Sequence, residues 1–585
     1  MDPGRGRQRP DLNDSEATAP SAPARHPLIR AVSIPLTWHI LSLVAGAVLL
    51  VDVTRDQWFY GDEWAFLADR SITIGDVGMF QPHNEHWSTT PVLIYGLLFR
   101  VAGLDSYLPY IFVVILAHLV VVHLMWRVML RGGVQPWIGT AFCAAFIPFG
   151  PGADNLLWGF QIGFVGAVAS GLGAILIADH ATASGRRMVA GWGASVLALT
   201  FAGIAVPLVA AAAVVAWMRR GAKAFLIAAS IPAAVYVVWL ITAGKSGLGT
   251  TVSVTEETVR AAPAFLARSG GAVLSMGTPT LLAGLIPLAV SAGALVVRRS
   301  RGAMLPHAAI AAGLGQVLLL VIFALGRSAL GLESADATRY VYIGGALLLP
   351  LLLVGLSDLA GRRVVGIMLV SALAVPWGLS NARLLTHLAG NQAEREGLIR
   401  EQILAAGTVF AGRELLRSVP EPRYSPNLDL DELLLLLPRL SPLPAPSRAA
   451  VIRAALALQV SVTSNPQIPE ASLSMTSFRA FDAELRPGAA GCRLVVPTGP
   501  KPRINIPAGS PSSLAIRPDA AGELELLLSS GGVRPDYFNR FPLAAGALAY
   551  VNVALDSRLV GEPYLILRFP KPIEICPVDA PDVEP

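Results

Sequence analysis

The chain has 585 residues, of which 54% are hydrophobic and 15% charged, with a mean hydropathy of +0.57. Soluble domains carry roughly 25% charged residues, so this composition excludes a soluble globular enzyme, a disordered chain and a fibrous protein, and points to a polytopic membrane protein. The net charge of +5 does not indicate nucleic acid, because the arginines sit mainly in short turns between apolar runs, where they report topology.

Residues 1–30 are rich in Arg, Pro, Ser and Ala, lack a long apolar run and read as a disordered cytoplasmic tail. About 20 apolar residues cross a bilayer. Runs of that kind predict spans at 34–53, 106–126, 134–150, 156–178, 187–201, 203–218, 223–243, 271–296, 303–326, 339–358 and 364–380, about eleven in all. The run 187–218 is too long for one span and short for two; charge decides for a hairpin of short helices. With the N-terminus inside, 17 Arg and Lys fall on inner segments and 8 on the longer outer ones, which fits the positive-inside rule. An odd number of spans places the C-terminus outside. The membrane domain is thus expected over 31–380, with its longest outer loop at 54–105.

Beyond residue 380 the character changes. Residues 381–418 read as an amphipathic helix, and 430–440 and 447–460 as shorter ones, giving a helical extracytoplasmic region over 381–465. From 472 onward short strand-like runs alternate with Gly, Pro and Asp turns (SLSMTSF, CRLVV, RINI, SSLAI, ELELLL, AYVNVAL, YLILRF, IEICPV), which predicts a β-sandwich over 466–585. Cys492 and Cys576 lie in the second and last of these runs; outside the cell they can form a disulfide, whereas Cys143 reads as a buried small hydrophobe. The expected fold class is a polytopic α-helical membrane protein with a C-terminal extracytoplasmic α+β region.

The sharpest local feature is Trp58-Phe59-Tyr60-Gly61-Asp62-Glu63-Trp64, just beyond the first span. Asp62 or Glu63 can serve as general base toward a sugar hydroxyl, and Trp64 can stack on sugar. The plainer alternative is a solvated loop with an interfacial aromatic belt. Further on, His83, Glu85, His86 and Trp87 are candidates for substrate contact; their spacing is not that of a helical zinc pair. Asn155, Trp158 and Gln161 fall on one face of an expected helix and either contact sugar or bond between helices. Arg327 ends one span and Arg339-Tyr340 begins the next, both on the expected outer face against the charge rule. Such an Arg suits a lipid-linked phosphate, which a guanidinium holds in a bidentate fork.

The acidic pair opening the first outer loop, the His/Pro stretch after it and the apolar segment ending Phe99-Arg100-Val101-Ala102-Gly103-Leu104 resemble the first loop of GT-C fold glycosyltransferases. These include protein mannosyltransferase-like and aminoarabinose transferase-like enzymes. This chain carries Trp87 and a single Pro91 where the family often has a Pro-Pro pair. The resemblance covers mainly residues 35–130. It implies a bacterial inner-membrane enzyme, inverting at the anomeric carbon, that takes sugar from a polyprenyl-phosphate donor to a hydroxyl of a glycan, lipid or protein at the outer face. The family acid maps to Asp62 or Glu63, and the phosphate-binding position to Arg339 and Tyr340. Some members use a divalent cation, for which Asp62 and Glu63 are the candidate ligands; no other cofactor is implied. The competing classes are a transporter or flippase for lipid-linked glycans and a non-catalytic scaffold with a carbohydrate-binding outer domain. Few ionisable residues lie mid-span and no internal repeat is visible, which favours the enzyme.

Overall fold

The computed structural model describes residues 27–70, 72–182, 184–247, 255–276, 282–328, 331–361, 363–411, 415–440, 445–468, 477–488, 491–508, 511–530 and 537–578. Most of the expected tail, and most of the strand-like run SLSMTSF, lie outside these residues.

The first half is a helical bundle. Its elements are α1 (Pro27–Thr54), α2 (Glu63–Leu67), α3 (Thr89–Ala102), α4 (Leu108–Arg131), α5 (Pro136–Phe146), α6 (Asp154–Leu157), α7 (Ile162–Ala178), α8 (Gly185–Phe201), α9 (Ala205–Arg220) and α10 (Ala222–Thr242). They continue with α11 (Glu256–Ser275), α12 (Leu282–Ser300), α13 (His307–Arg327), α14 (Thr338–Ala360), α15 (Val364–Ala372) and α16 (Ala374–Phe410). Among the described residues seven helical stretches are long and apolar enough to cross a membrane: Ile34–Thr54, Leu108–Arg131, Gly159–Ala178, Ala222–Thr242, His307–Arg327, Thr338–Ala360 and Val364–Phe410. These seven meet the length and composition of a full span, and the shorter helices α5, α8 and α9 fall where three more spans are expected. α5 has only 11 residues, and α8 and α9 have 17 and 16, so the run 187–218 is indeed two short helices. The span expected at 271–296 is divided: α11 ends at Ser275, and α12 starts at Leu282. α11 carries Glu256, Glu257, Arg260 and Arg268, charges that a hydrocarbon core disfavours.

Small residues bring the helices close. A Cβ on Gly355 of α14 would lie 2.7 Å from the Ser291 backbone of α12, so only glycine permits this approach. The two ends of the bundle differ in charge. At one end Asp179, buried after α7, takes Arg219 at 2.8 Å and Arg131 at 3.6 Å. Asp358 there takes both Nε and Nη2 of Arg298 at 2.6 Å. The opposite end gathers the C-terminus of α1, the N-termini of α4, α7 and α14, and the C-terminus of α13.

Beyond α16 come α17 (Leu430–Leu436) and α18 (Arg448–Leu458), then β1 (Val460–Thr463), β2 (Arg479–Phe481), β3 (Ala483–Pro487), β4 (Arg493–Pro497), β5 (Arg503–Pro507), β6 (Ser512–Pro518), β7 (Gly522–Ser530), β8 (Phe538–Leu543), β9 (Ala549–Val553), the short α19 (Ser557–Val560), β10 (Pro563–Arg568) and β11 (Ile573–Pro577). Two antiparallel sheets result, ordered β1-β9-β6-β11-β4-β3 and β2-β5-β10-β7-β8. β1 falls inside the stretch expected to be helical linker, because Val460 and Val462 follow the α18 stop and pair with β9 (Val460 opposite Val553). Alternate residues such as Ile504 and Ile506 of β5 face the buried layer, as a half-covered sheet requires. Cys492 and Cys576 form a disulfide between the β4 entry and β11, and Cys143 is buried and free.

Candidate active site at one end of the bundle

The chain leaving α1 is pinned by successive hydrogen bonds. The Gln57 side chain donates to the Ala389 carbonyl at 3.0 Å, the Trp58 N–H to Glu396 Oε2 at 2.6 Å, the Tyr60 N–H to Glu63 Oε2 at 3.0 Å and the Gly61 N–H to the Tyr424 carbonyl at 2.5 Å. Gly61 has φ +62°, and a Cβ there would press on Trp158 at 3.2 Å. α16 and the 415–424 segment therefore fix the backbone that presents Asp62.

Asp62 and Glu63 then diverge. Glu63 opens α2, whose residues Glu-Trp-Ala-Phe-Leu are all buried. Its Oε1 accepts from the Tyr95 hydroxyl at 2.5 Å and the Tyr107 hydroxyl at 2.9 Å, and Tyr107 Oη in turn accepts the Gly159 N–H at 2.6 Å. Burial pushes the Glu63 carboxyl up to about 8 although these donors oppose the shift. Asp62 instead keeps 37% of its side chain exposed, with Oδ2 3.6 Å from His83 Nε2. The acidic pair does not form a chelate, because both Glu63 oxygens are already filled by donors. The one metal-like grouping among the described residues is Cys492, Glu574 and Cys576, whose sulfurs are joined to each other.

His83 and His86 face each other across a tight turn: each backbone N–H donates to the other's carbonyl at 3.0 Å, with Asn84 at φ +51°. Arg70 braces the approach by donating to the carbonyls of Gly78, Gln81 and Pro82. The His83 ring stands edge-on to Phe66 and Phe160 at 5.4 and 5.3 Å, and its Nε2 has no hydrogen-bond partner among the described residues. His86 is half-buried, and desolvation, then the nearby His83 and Arg339, lower its pKa to about 4, so it is neutral at ordinary pH.

Glu85 bonds Arg327 from the end of α13. Arg339, in the first turn of α14, is half-buried and lies 5.4 Å from the ring centroid of Tyr340, which is itself buried against Phe323. Among the described residues Arg339 pairs with no carboxylate. It therefore supplies a spare positive charge at the N-terminus of a 23-residue helix, where backbone N–H groups also favour an anion.

Other candidates have structural placements. Trp64 is buried against Trp58 and Phe59. Trp87 stacks on Trp239 at 5.0 Å with an interplanar angle of 3°. Asn155, Trp158 and Gln161 do not share one helix: the chain breaks at Trp158, which is extended, between α6 and the turn Gly159–Gln161. Asn155 and Gln161 are buried and contact each other at 3.4 Å. Trp158 stacks between Tyr60 and Phe160, 5.0 Å from each, making an aromatic wall that continues through Phe160 to His83. Sequence reasoning missed Tyr60, Tyr95, Tyr107, Gly159, Phe160 and Glu396. For Tyr95 and Tyr107 the available signal was two hydroxyl-bearing rings in otherwise apolar surroundings.

No family model matches the chain, and no curated protein matches it in sequence. Among solved structures, the crystal structure of ArnT from Cupriavidus metallidurans bound to undecaprenyl phosphate is similar to it, with 13% identity and a TM-score of 0.43, over 73% of this chain and 92% of that one.

Proposed function

We propose that the protein is a membrane glycosyltransferase that uses a polyprenyl-phosphate sugar, with Asp62 as base and Arg339 as the anchor for the donor phosphate. The observation that carries this reading is the convergence, at one end of the bundle, of a part-exposed carboxylate beside His83 and, near His86, the Arg339 guanidinium, which pairs with no carboxylate among the described residues. In the reaction Asp62 takes the proton of the acceptor hydroxyl as its oxygen bonds the anomeric carbon. The bond from that carbon to the phosphate oxygen breaks, and polyprenyl phosphate leaves as an anion beside Arg339 and the α14 N-terminus. A single displacement inverts the anomeric carbon. The Tyr60–Trp158–Phe160 wall offers faces for sugar stacking. Glu63 acts through Asp62, as a positioning residue.

The opposite end of the bundle carries Arg131, Arg219 and Arg298, which under the positive-inside rule supports a site facing away from the cytoplasm in a bacterial inner membrane. Purified protein in liposomes, given a panel of polyprenyl-phosphate hexoses and pentoses, tests the reading through release of polyprenyl phosphate. Asp62→Asn is expected to lower turnover about 10²–10⁴-fold, the range for removal of a general base, with unchanged thermal unfolding. Turnover by the variant at the wild-type rate would overturn the assignment.

A further inference from the structure

Outside the bundle, a cavity of about 280 Å³ lies between the 415–424 segment and β8, lined by Arg417, Pro422, Arg423, Phe538, Arg540 and Phe541. Both walls hang on the last turn of α18. The N–H groups of Leu416 and Arg417 donate to the Leu458 carbonyl at 2.9 and 3.0 Å, and the Asn539 side chain donates to the Leu456 carbonyl at 3.1 Å. The cleft is thus built before any ligand arrives, which lowers the entropy lost on binding.

Its charge is unbalanced. Arg540 is neutralised by Glu525 at 3.0 Å and Glu523 at 3.7 Å. Arg417 and Arg423 pair with no carboxylate among the described residues. The nearest acid of the segment, Glu421, is buried and takes the Tyr424 N–H; it feels the Arg423 charge without forming a salt bridge to it. Arg417 lies 5.8 Å from the Phe541 ring centroid, and Arg423 and Arg540 lie 5.0 and 4.8 Å from that of Phe538. A guanidinium resting on a ring has its orientation fixed and its N–H edge turned away from the carbon face, ready for a bidentate oxyanion. Burial depresses the Arg417 pKa, so an incoming anion would relieve a half-buried charge.

We infer that this cleft binds a saccharide bearing an oxyanion, a carboxylate or a phosphate, and presents it to the active site as acceptor. The segment carrying Arg417 and Arg423 is also the one whose Tyr424 carbonyl takes the Gly61 N–H, one residue before Asp62. Occupancy of the cleft and the position of the Asp62 loop are therefore mechanically joined. The inference rests on the transferase reading for the word acceptor, but the binding itself does not.

The experiment is calorimetric titration of the full-length protein in detergent with tetragalacturonate, with glucose 6-phosphate and with neutral maltotetraose. One or both anionic probes should bind at least tenfold tighter than maltotetraose, and more weakly as salt rises; the tighter anion identifies the natural group. Arg417→Gln and the exposed-site Arg423→Gln should each weaken that binding about tenfold with native thermal unfolding, while Asp62→Asn should bind like wild type. Equal affinity for all three probes, or unchanged anion binding in Arg423→Gln with native thermal unfolding, would overturn the inference. Loss of turnover in Asp62→Asn is read separately and bears on the transferase assignment alone.

Discussion

Asp62 and Glu63 are neighbours in sequence with opposite surroundings: Glu63 is wholly enclosed by the Tyr95 and Tyr107 hydroxyls and the Tyr60 N–H, while the Asp62 carboxylate looks outward at 3.6 Å from His83 Nε2. The buried member fixes the backbone from which the exposed one projects. Because Glu63 Oε2 and Glu396 Oε2 each receive one N–H of the Trp58–Tyr60 stretch, the loop is held from the bundle core and from α16 together. Small errors in the placement of a base are costly to rate, so integrity of this clasp should be visible in turnover as well as in stability.

Gly159→Ala tests the clasp without touching a charge. The added Cβ would lie 2.7 Å from Tyr95 Oη, 2.8 Å from Glu63 Oε1 and 2.9 Å from Tyr107 Oη. None of these atoms can retreat, since all are packed in the core. Overpacking of this kind costs about 1–3 kcal/mol. The variant should unfold at lower temperature by differential scanning fluorimetry, and the turnover of its folded fraction should fall. An unchanged midpoint would show that the cluster is softer than the hydrogen bonds indicate.

Much of this arrangement was legible from sequence and some was not, for physical reasons. The apolar runs located most of the bundle, and the acid pair lies at the end opposite the Asp179 and Asp358 ion pairs. The division of labour within the pair was hidden, because burial of Glu63 depends on tyrosines 32 and 44 residues away. The run Trp64-Ala65-Phe66-Leu67 after it was the local hint that α2 turns inward. The helix expected to carry Asn155, Trp158 and Gln161 on one face failed at Trp158, where Gly159 allows a close approach to Tyr107 that no helix would give. Charge kept α11 out of the set of spans, and it also singled out Arg339, which among the described residues pairs with no carboxylate.

Arg339 and Arg327 should separate in kinetics. Arg327 is engaged by Glu85, whereas Arg339 is free to meet a phosphate. Arg339→Gln should raise the KM for a polyprenyl-phosphate donor at least tenfold and also lower kcat, because the leaving group gains negative charge in the transition state. Arg327→Gln should act less on KM and more on thermal stability, through loss of the Glu85 contact. Equal effects of the two substitutions would remove the distinction between an anchor and a brace.

The disulfide joins residues 84 apart in sequence and ties the β4 entry to β11. Closing so long a loop stabilises a fold by about 2–5 kcal/mol. Cys492→Ser/Cys576→Ser should therefore lower the urea midpoint of the sandwich, followed by near-ultraviolet circular dichroism. Maleimide should label native protein at no site, since Cys143 is buried with its Sγ 3.6 Å from the Val122 carbonyl. Two labels per chain should appear after reduction and unfolding of the sandwich.

Glu63 and His86 make opposite contributions to stability as pH changes. Glu63 keeps its proton to about 8 when folded and loses it near 4.5 when unfolded, so its contribution falls as pH rises through that window. His86 stays neutral down to about 4 when folded but protonates near 6.5 when unfolded, so its contribution falls as pH drops from 6.5 toward 4. Between about 4.5 and 6.5 the two slopes, each at most about 1.4 kcal/mol per pH unit, oppose one another; above 6.5 only that of Glu63 remains. Relative to wild type, Glu63→Gln should therefore lose the decline in unfolding temperature between pH 6.5 and 8 and gain a rise between 4.5 and 6.5. His86→Gln should show a steady decline from 4.5 to 8. Parallel pH profiles for wild type and both variants would mean that neither group is enclosed in solution as it is in the structure, and the assignment of Glu63 as the buried partner of Asp62 would fall with them.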